Sequence, residues 1–303
     1  MRIVVIGAGS LGCVYGGNLA RIGQEVGFLD VREDHVEKIK NFGLEVDGLS
    51  GHFTARAAAA TSAEELGEAD AVLICVNAYA TSEAAEAAKQ ILRSDGYCLT
   101  LQNGVGNVEA LTQALGAERV LAGLSFQSGD LEGPGKVRHT NNGPTYLGEL
   151  DRSRSKRLTE ISEMFSQAGM NPVLVDDIVA TIWAKFIHNC GINAICAITG
   201  LRPGQIQEVS ELDEFQTRII EETVAVVRAK GGSVIEADPV QAVKEYCAHK
   251  FHRPSMMQHL DRGQRTEIDA LNGYVARESA RMGLPAPCSD ALTRLIKGRE
   301  QCR

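Results

Sequence analysis

The sequence has no uninterrupted apolar run of about 18 residues, the length that a membrane-spanning helix needs. It also has no excess of positive charge, since 31 Lys and Arg against 39 Asp and Glu give a formal net charge of −8. This acidic balance argues against nucleic acid or an anionic membrane as a partner. An anionic small molecule stays compatible with it, because a binding site needs positive charge only locally. The N-terminus encodes a strand rather than a cleavable signal, so no signal peptide is expected.

The eight cysteines are scattered without a C-x-x-C pair, which argues against a zinc site and against a disulfide framework. The seven histidines show no spacing typical of metal ligands. No G-x-S-x-G motif or Cys–His pairing indicates nucleophilic catalysis. These absences predict a cytoplasmic protein that binds no metal.

The most informative segment that is present lies at the N-terminus, where an apolar run at residues 2–6 leads into a G-x-G-x-x-G. In a dinucleotide-binding turn, the first glycine permits the tight turn and the second permits close approach of a pyrophosphate. The third lets the following helix pack closely on the strand. That helix presents unpaired N–H groups and its positive dipole end to the pyrophosphate. A plain glycine-rich turn is the alternative, but we predict a dinucleotide-binding segment made of Gly7, Ala8, Gly9, Ser10, Leu11 and Gly12.

The choice between NAD and NADP depends on two residues after the second predicted strand. Asp30 ends that strand 18 residues after Gly12. A carboxylate there accepts hydrogen bonds from the adenosine ribose and repels a 2′-phosphate, which favours NAD. Arg32 could instead hold a 2′-phosphate bidentately, which favours NADP. The sequence leans slightly to NAD, and a solvated role for both residues is the alternative.

The length of 303 residues suits two domains better than one. Residues 1 to about 125 alternate between strand and helix patterns, which predicts a parallel sheet. Lys136–Thr140 and Thr145–Gly148 predict short antiparallel strands at one edge of it.

From Ile178 onward the apolar residues follow a helical period, over 178–199, 211–230, 239–250, 255–283 and 286–298. We therefore predict an α/β chain with a Rossmann-type doubly wound sheet in residues 1–175 and an all-helical domain in residues 176–303. A cleft between two such domains is the usual place for a small-molecule site.

Candidate chemistry begins on the first long helix of the second part. Lys185, Asn189 and Asn193 recur at every fourth residue and form one polar stripe on an apolar helix. Buried polar groups need partners, and a bound substrate is one such partner. The alternative is that Lys185 extends to solvent while the asparagines bridge neighbouring elements.

Three further polar residues lie at informative positions. Asn103 follows a predicted parallel strand, where ligands bind in doubly wound sheets, and an Asn-Gly turn is the alternative. Ser255 precedes a predicted helix, which it could cap. Glu267 lies within that predicted helix, where an exposed carboxylate is the ordinary case.

Together these segments resemble the 2-dehydropantoate 2-reductase (ketopantoate reductase) family over nearly the whole chain. Besides the glycine loop, the resemblance rests on Gln-Asn-Gly-Val-Gly at 102–106, Pro-Gly-Lys-Val-Arg-His-Thr at 134–140, and the segments 183–193 and 254–273. It implies reduction of a 2-keto acid to a 2-hydroxy acid by hydride transfer, usually from NADPH. Two departures are Asp30-Val31-Arg32, where NADPH-using members commonly carry a basic residue, and Phe251-His252-Arg253-Pro254, where many carry small polar residues.

The resemblance also implies residue roles. Lys185 would be the general acid, and Glu267 would bind the substrate hydroxyl and help to hold Lys185. Asn189, Asn193 and Ser255 would orient the substrate, and Asn103 would line the site beside the nicotinamide.

Other functions remain open at this stage. The same framework could reduce another branched or aromatic 2-keto acid with NADH. A non-catalytic dinucleotide-binding regulator would need no proton donor, and a 3-hydroxyacid dehydrogenase would lack the segment from Ser255 to Glu267. The Met and Leu residues of the helical part are compatible with a homodimer interface and equally with core packing.

Overall fold

The structure, a computed structural model, describes residues 1–302. The chain divides into two compact units, Met1–Ile178 and Val179–Arg303. Within the described residues, no helix has the length and apolar character needed to cross a membrane.

The first unit is built on one mixed sheet. Its strands are β1 (Arg2–Ile6), β2 (Glu25–Leu29), β3 (Leu44–Gly48), β4 (Phe53–Ala55), β5 (Ala58–Ala60), β6 (Ala69–Ile74), β7 (Leu92–Thr100), β8 (Val120–Gly133), β9 (Lys136–Glu149) and β10 (Pro172–Leu174). Its helices are α1 (Ser10–Arg21), α2 (Glu33–Phe42), α3 (Thr81–Ile91), α4 (Asn107–Leu115) and α5 (Lys156–Gln167).

The strand order is β4-β3-β9-β8-β7-β6-β1-β2-β5, with β10 paired to β9. The run from β8 through β7, β6, β1 and β2 to β5 is parallel throughout. The carboxyl ends of β1, β2, β6 and β7 therefore share one edge. This edge carries every residue of the first unit that the sequence assigns to the dinucleotide.

Each face of the sheet is covered by its own apolar cluster, because successive side chains on a strand point to opposite faces. Ile3 and Val5 of β1 pack in a cluster with residues of α1, α2 and α5. Val4 and Ile6 pack in the other cluster with residues of α3 and α4. A sheet buried on both faces explains why its strands are continuous apolar runs rather than alternating ones.

The predicted short edge strands at 136–140 and 145–148 are wrong in length and position. They belong to one long antiparallel hairpin, β8–β9, interrupted by register shifts. Parallel pairing of β3 with β9 places β3 and β4 outside the hairpin, so β9 is an interior strand.

The second unit is helical, and α6 (Ile178–Thr199) spans the residues that the periodicity predicts. The helices that follow are α7 (Ser210–Ala229), α8 (Pro239–Ala248), α9 (Ser255–Asp261), α10 (Asn272–Met282) and α11 (Pro287–Gln301). The predicted fold class, a Rossmann-type α/β sheet followed by a helical region, is confirmed.

The predicted single helix over 255–283 is wrong, because two helices separated by a turn occupy that segment. Gly263 has a left-handed backbone, with φ of 63°. Its N–H donates to the carbonyl of Leu260, and the N–H of Gln264 donates to that of His259 at 2.8 Å. These hydrogen bonds end α9 at its C-terminus. The apolar period of the sequence nevertheless continues into residues that are no longer helical.

Candidate active site

The glycine loop between β1 and α1 has the geometry that its sequence predicts. Gly7 adopts φ of +96°, and its N–H donates to the carbonyl of Leu29 at 2.8 Å. A Cβ on Gly7 would lie 2.8 Å from both the backbone nitrogen and Cγ1 of Val76. A Cβ on Gly12 would overlap the carbonyl oxygen of Gly7. Glycine is therefore required at both positions by contacts within the protein itself.

Gly9 is different, because the contacts of the protein do not explain it. It is the N-cap of α1 with φ of −69°, which any residue can adopt. Apart from its chain neighbours, no heavy atom of the described residues lies within 4 Å of a Cβ built there. The open space faces a helix N-terminus, where the first-turn N–H groups of Ser10, Leu11 and Gly12 have no intrahelical acceptor. This arrangement fits the pyrophosphate of a dinucleotide.

Asp30 and Arg32 lie together at the carboxyl end of β2. Asp30 follows the last residue of the strand, and its Oδ1 accepts a hydrogen bond from the N–H of Arg32 at 3.0 Å. The guanidinium of Arg32 is exposed, with Nη2 3.4 Å from Oδ2 of Asp34. The candidate ribose ligand and the candidate phosphate ligand thus occupy the same short segment.

His35 connects this segment to the glycine loop, a feature that the sequence analysis missed. It is fully buried, and its Nδ1 accepts a hydrogen bond from the N–H of Gly135 at 3.0 Å. The ring proton therefore lies on Nε2, 3.4 Å from Sγ of Cys13, whose thiol in turn donates to the carbonyl of Ala8. Burial lowers the pKa of His35, which keeps the ring neutral in this role. The sequence shows only a lone histidine at the start of a predicted helix, and that pattern does not indicate these hydrogen bonds.

Asn103 lies in the loop after β7, beside a buried polar network. Nε2 of Gln102 donates to the carbonyl of Val76 at 3.0 Å and to Oγ1 of Thr81 at 2.8 Å. Nδ2 of Asn107 donates to the carbonyl of Asn103 at 2.9 Å. These bonds tie the loop after β7 to the loop after β6 and so fix the backbone that carries Asn103. No local pattern around Gln102 predicts this role.

In the second unit, Lys185, Asn189 and Asn193 are half-buried on α6, and most of the residues between them are buried. The backbone of α6 is held by side chains from other helices: Asn272 donates to the carbonyl of Cys190 at 3.1 Å, and Gln216 donates to that of Gly191 at 3.0 Å. The stripe therefore stands on a helix whose position is fixed by its neighbours.

The Lys185 side chain is half-buried on this helix, and burial desolvates its ammonium. The ring of Phe186 packs edge-on against Trp183 and Tyr274, with centroids 5.6 and 5.7 Å apart. Burial lowers the pKa of Lys185 from its ordinary value to about 8, and the negative charge of Glu267 opposes that shift. A lysine with a pKa near neutral pH can exchange a proton with a reacting group, whereas an ordinary lysine holds its proton too firmly.

Glu267 and Ser255 occupy positions that differ from the prediction. Glu267 lies outside any α-helix, half-buried at the start of a short 3-10 turn, Ile268–Ala270. The turn nevertheless brings its carboxylate within electrostatic reach of Lys185. Ser255 is exposed and is itself the first residue of α9, with Pro254 as the N-cap, so the capping role is wrong.

Other kinds of site find no support in residues 1–302. Within them, no group of His, Cys, Asp and Glu side chains could hold a metal ion. The cysteines described there are all free, and burial raises the pKa of the Cys247 and Cys288 thiols to about 11. Thiols of that kind are poor nucleophiles near neutral pH.

Comparison with known proteins places these features in one family. Models described as ketopantoate reductase PanE/ApbA and its C terminal match residues 3–152 and 177–300. The 2-dehydropantoate 2-reductase of Pyrococcus horikoshii is 31% identical over 301 residues, which are 99% of this chain and 98% of that protein.

Solved structures agree with this assignment. A PanE/ApbA family ketopantoate reductase from Ralstonia eutropha JMP134 has a TM-score of 0.91 at 32% identity, covering 100% of this chain and 99% of its own. A D-mandelate dehydrogenase in complex with NADH has a TM-score of 0.88 at 25% identity, covering 100% and 99%. The chain therefore belongs to the ketopantoate reductase family of NAD(P)-dependent 2-hydroxyacid dehydrogenases.

Proposed function

We propose that this chain reduces 2-dehydropantoate to pantoate, with Lys185 as the general acid. Reduction adds a hydride to the carbonyl carbon and a proton to the carbonyl oxygen, so that C=O becomes CH–OH. The curated relative from Pyrococcus horikoshii carries the name of this reaction. The observation that carries the proposal is a lysine of lowered pKa, on a rigidly held polar stripe, beside a carboxylate.

Lys185 has two functions in this mechanism. Its cation stabilises the negative charge that develops on the carbonyl oxygen, without any reorganisation at that moment. It then donates its proton to that oxygen. Glu267 supports the protonated form, because its negative charge raises the pKa that burial lowers. We assign Asn189, Asn193 and Ser255 to orienting the substrate, since amide and hydroxyl groups can bind its carboxylate and hydroxyl.

The nicotinamide dinucleotide supplies the hydride when it is bound. We assign its pyrophosphate to the N–H groups from Gly9 to Gly12, and its adenosine ribose to Asp30. We assign Asn103 to the part of the site beside the nicotinamide. The hydrogen bonds of Gln102 and Asn107 hold the backbone that carries it. The carboxylate of Asp30 favours NADH, and Arg32 is the residue available to a 2′-phosphate.

A second candidate substrate is an aromatic or branched 2-keto acid, reduced with NADH on the same framework. The likeness to D-mandelate dehydrogenase with NADH favours it, together with Asp30. The candidates are separated by following absorbance at 340 nm with 2-dehydropantoate, 2-ketoisovalerate and phenylglyoxylate, each with NADPH and with NADH. We expect the highest kcat/KM with 2-dehydropantoate. A kcat/KM ten times higher with phenylglyoxylate would instead identify an aromatic 2-keto acid as the substrate.

The pKa of Lys185 predicts a pH dependence of the reduction. The proton donor is present below a pH of about 8 and is lost above it, so kcat for reduction should fall about tenfold per pH unit above that value. Glu267→Gln removes the charge that raises this pKa, so the break should move to lower pH. Oxidation of pantoate needs the unprotonated amine and should show the opposite slope. A flat profile from pH 6 to 10 in pre-steady-state reduction would exclude Lys185 as the donor.

The assignment of Asp30 predicts a change in dinucleotide preference. Asp30→Ala removes the ribose-binding carboxylate and its repulsion of a 2′-phosphate. Because a hydrogen bond to a charged group contributes about 1.5–3 kcal/mol, kcat/KM for NADH relative to NADPH should fall by tenfold or more. Asp95→Ala, an exposed carboxylate at the opposite edge of the sheet, serves as the control. An unchanged ratio in Asp30→Ala would remove Asp30 from the cofactor site.

The cytoplasmic location and the homodimer stay predictions. Light scattering on the purified protein measures its molar mass, and a dimer of the 32.6 kDa chain should give about 65 kDa.

A further inference from the structure

We propose that Asp34 sets the dinucleotide selectivity of this chain by occupying Arg32, the candidate ligand for a 2′-phosphate. The inference rests on the proposed dinucleotide site and adds a residue to which that site has assigned no role. Asp34 acts on the cofactor through Arg32 and is therefore a specificity-determining residue without a catalytic role.

The contact that carries the proposal is the ion pair between Arg32 and Asp34. Nη2 of the guanidinium lies 3.4 Å from Oδ2 of the carboxylate, and both side chains are about half exposed. An exposed pair of this kind is weak, so a stronger anion can displace it. A 2′-phosphate must nevertheless compete with Asp34 for Arg32, whereas the ribose hydroxyls of NADH have no such competitor.

The local charge acts in the same direction. Asp30, Glu33 and Asp34 flank a single cation, Arg32, along the chain, so residues 30–34 carry a net charge of −2. A phosphate monoester is close to a dianion at neutral pH. The segment therefore repels the very group that distinguishes NADPH from NADH, in addition to occupying its cation.

The position of the pair is fixed from both sides. The backbone N–H of Arg32 donates to Oδ1 of Asp30, directly after β2. Next to Asp34, the buried His35 holds the first turn of α2 to Gly135 and Cys13. The N-cap position of Arg32 and the first turn that carries Asp34 are thus held together before any ligand arrives.

The experiment measures dissociation constants for NADPH and NADH by fluorescence titration without a keto acid. In D34N the Kd for NADPH should fall five- to tenfold, while the Kd for NADH stays within twofold. The matched control is E33Q, which removes the same charge from the neighbouring residue without touching the ion pair; it relieves only the local repulsion and should lower the NADPH Kd by no more than about twofold. In the R32Q background, D34N should lose most of its effect on NADPH, because the released guanidinium is then absent and only the local repulsion is relieved.

The outcomes separate the possible causes. An equal gain in E33Q, or a full gain in R32Q/D34N, would show a general field effect and overturn the proposal. An unchanged NADPH Kd in D34N would overturn it as well. If wild-type protein binds neither dinucleotide, the dinucleotide site fails and this inference fails with it. If the expected Kd changes occur but 2-dehydropantoate is not reduced, the inference stands and only the substrate assignment is wrong.

Discussion

Replacement of Lys185 by alanine is expected to lower kcat for keto acid reduction by at least about 100-fold, the usual contribution of a general acid. That factor corresponds to about 2.7 kcal/mol of transition-state stabilisation. In the proposed mechanism, the variant loses both the cation that stabilises the developing alkoxide and the proton that neutralises it. Cofactor affinity should change little, because the residues assigned to the dinucleotide belong to the other unit. Steady-state kinetics at saturating cofactor, together with dinucleotide titration, measure both quantities.

The matched control for this variant is Lys156→Ala, which removes a lysine whose side chain is 89% exposed. Its kcat should equal that of the wild type. Added primary amines should restore part of the rate of Lys185→Ala, since a small amine can occupy the vacated volume and supply the proton. A kcat within tenfold of wild type in Lys185→Ala would contradict the general-acid assignment.

A second pair of variants separates folding from cofactor binding in the glycine loop. In Gly12→Ala the new Cβ overlaps the Gly7 carbonyl, so α1 must move away from the sheet. We expect a loss of about 3 kcal/mol or more in the free energy of unfolding. The corresponding fall in Tm is about 5–10 °C, and cofactor binding should be lost as well.

Gly9→Ala should behave differently, because its Cβ meets open space and its φ of −69° suits alanine. Its Tm should equal or slightly exceed that of the wild type. Its Kd for NADH should nevertheless rise at least tenfold, since the methyl group occupies the space assigned to the pyrophosphate. Thermal unfolding and dinucleotide titration on both variants test this. A Gly9→Ala variant that binds NADH normally would show that the pyrophosphate lies elsewhere.

The features predicted correctly from the sequence are those decided by local patterns. The glycine loop is defined within a few residues, since Gly7 has a positive φ of 96° and a Cβ on Gly12 would overlap the Gly7 carbonyl. The long helix α6 is predicted over its full extent because its apolar period is uninterrupted. Its polar stripe follows from helical geometry alone, without knowledge of tertiary structure.

The features predicted wrongly depend on backbone and long-range contacts. The apolar period continues through 255–283, but a left-handed Gly263 ends the helix, and Glu267 consequently lies in a turn. The hydrophobic pattern does not indicate such a break, because α9 and α10 both bury residues that follow the same helical period. Similarly, the pairing of β3 with β9 joins residues far apart in the chain, and no local signal predicts it.

The side chains that the sequence analysis missed act through neighbours. Gln102 orders two loops through hydrogen bonds, and His35 joins three segments that meet only in the folded unit. Asp34 becomes informative only once its distance to Arg32 is known. Each has an ordinary residue type at an ordinary position, so only the structure distinguishes it from a solvated surface residue.

The most direct test of the proposed reaction follows the hydride itself. Wild-type protein is incubated with 2-dehydropantoate and, in separate reactions, with NADH or NADPH carrying deuterium at both C4 positions of the nicotinamide, and the product is analysed by mass spectrometry. Hydride transfer predicts pantoate that is one mass unit heavier, with the deuterium at C2 and formed in amounts equal to the reduced cofactor consumed. Dinucleotide binding without label in pantoate, under conditions where both cofactors have been tried, would contradict the proposed function.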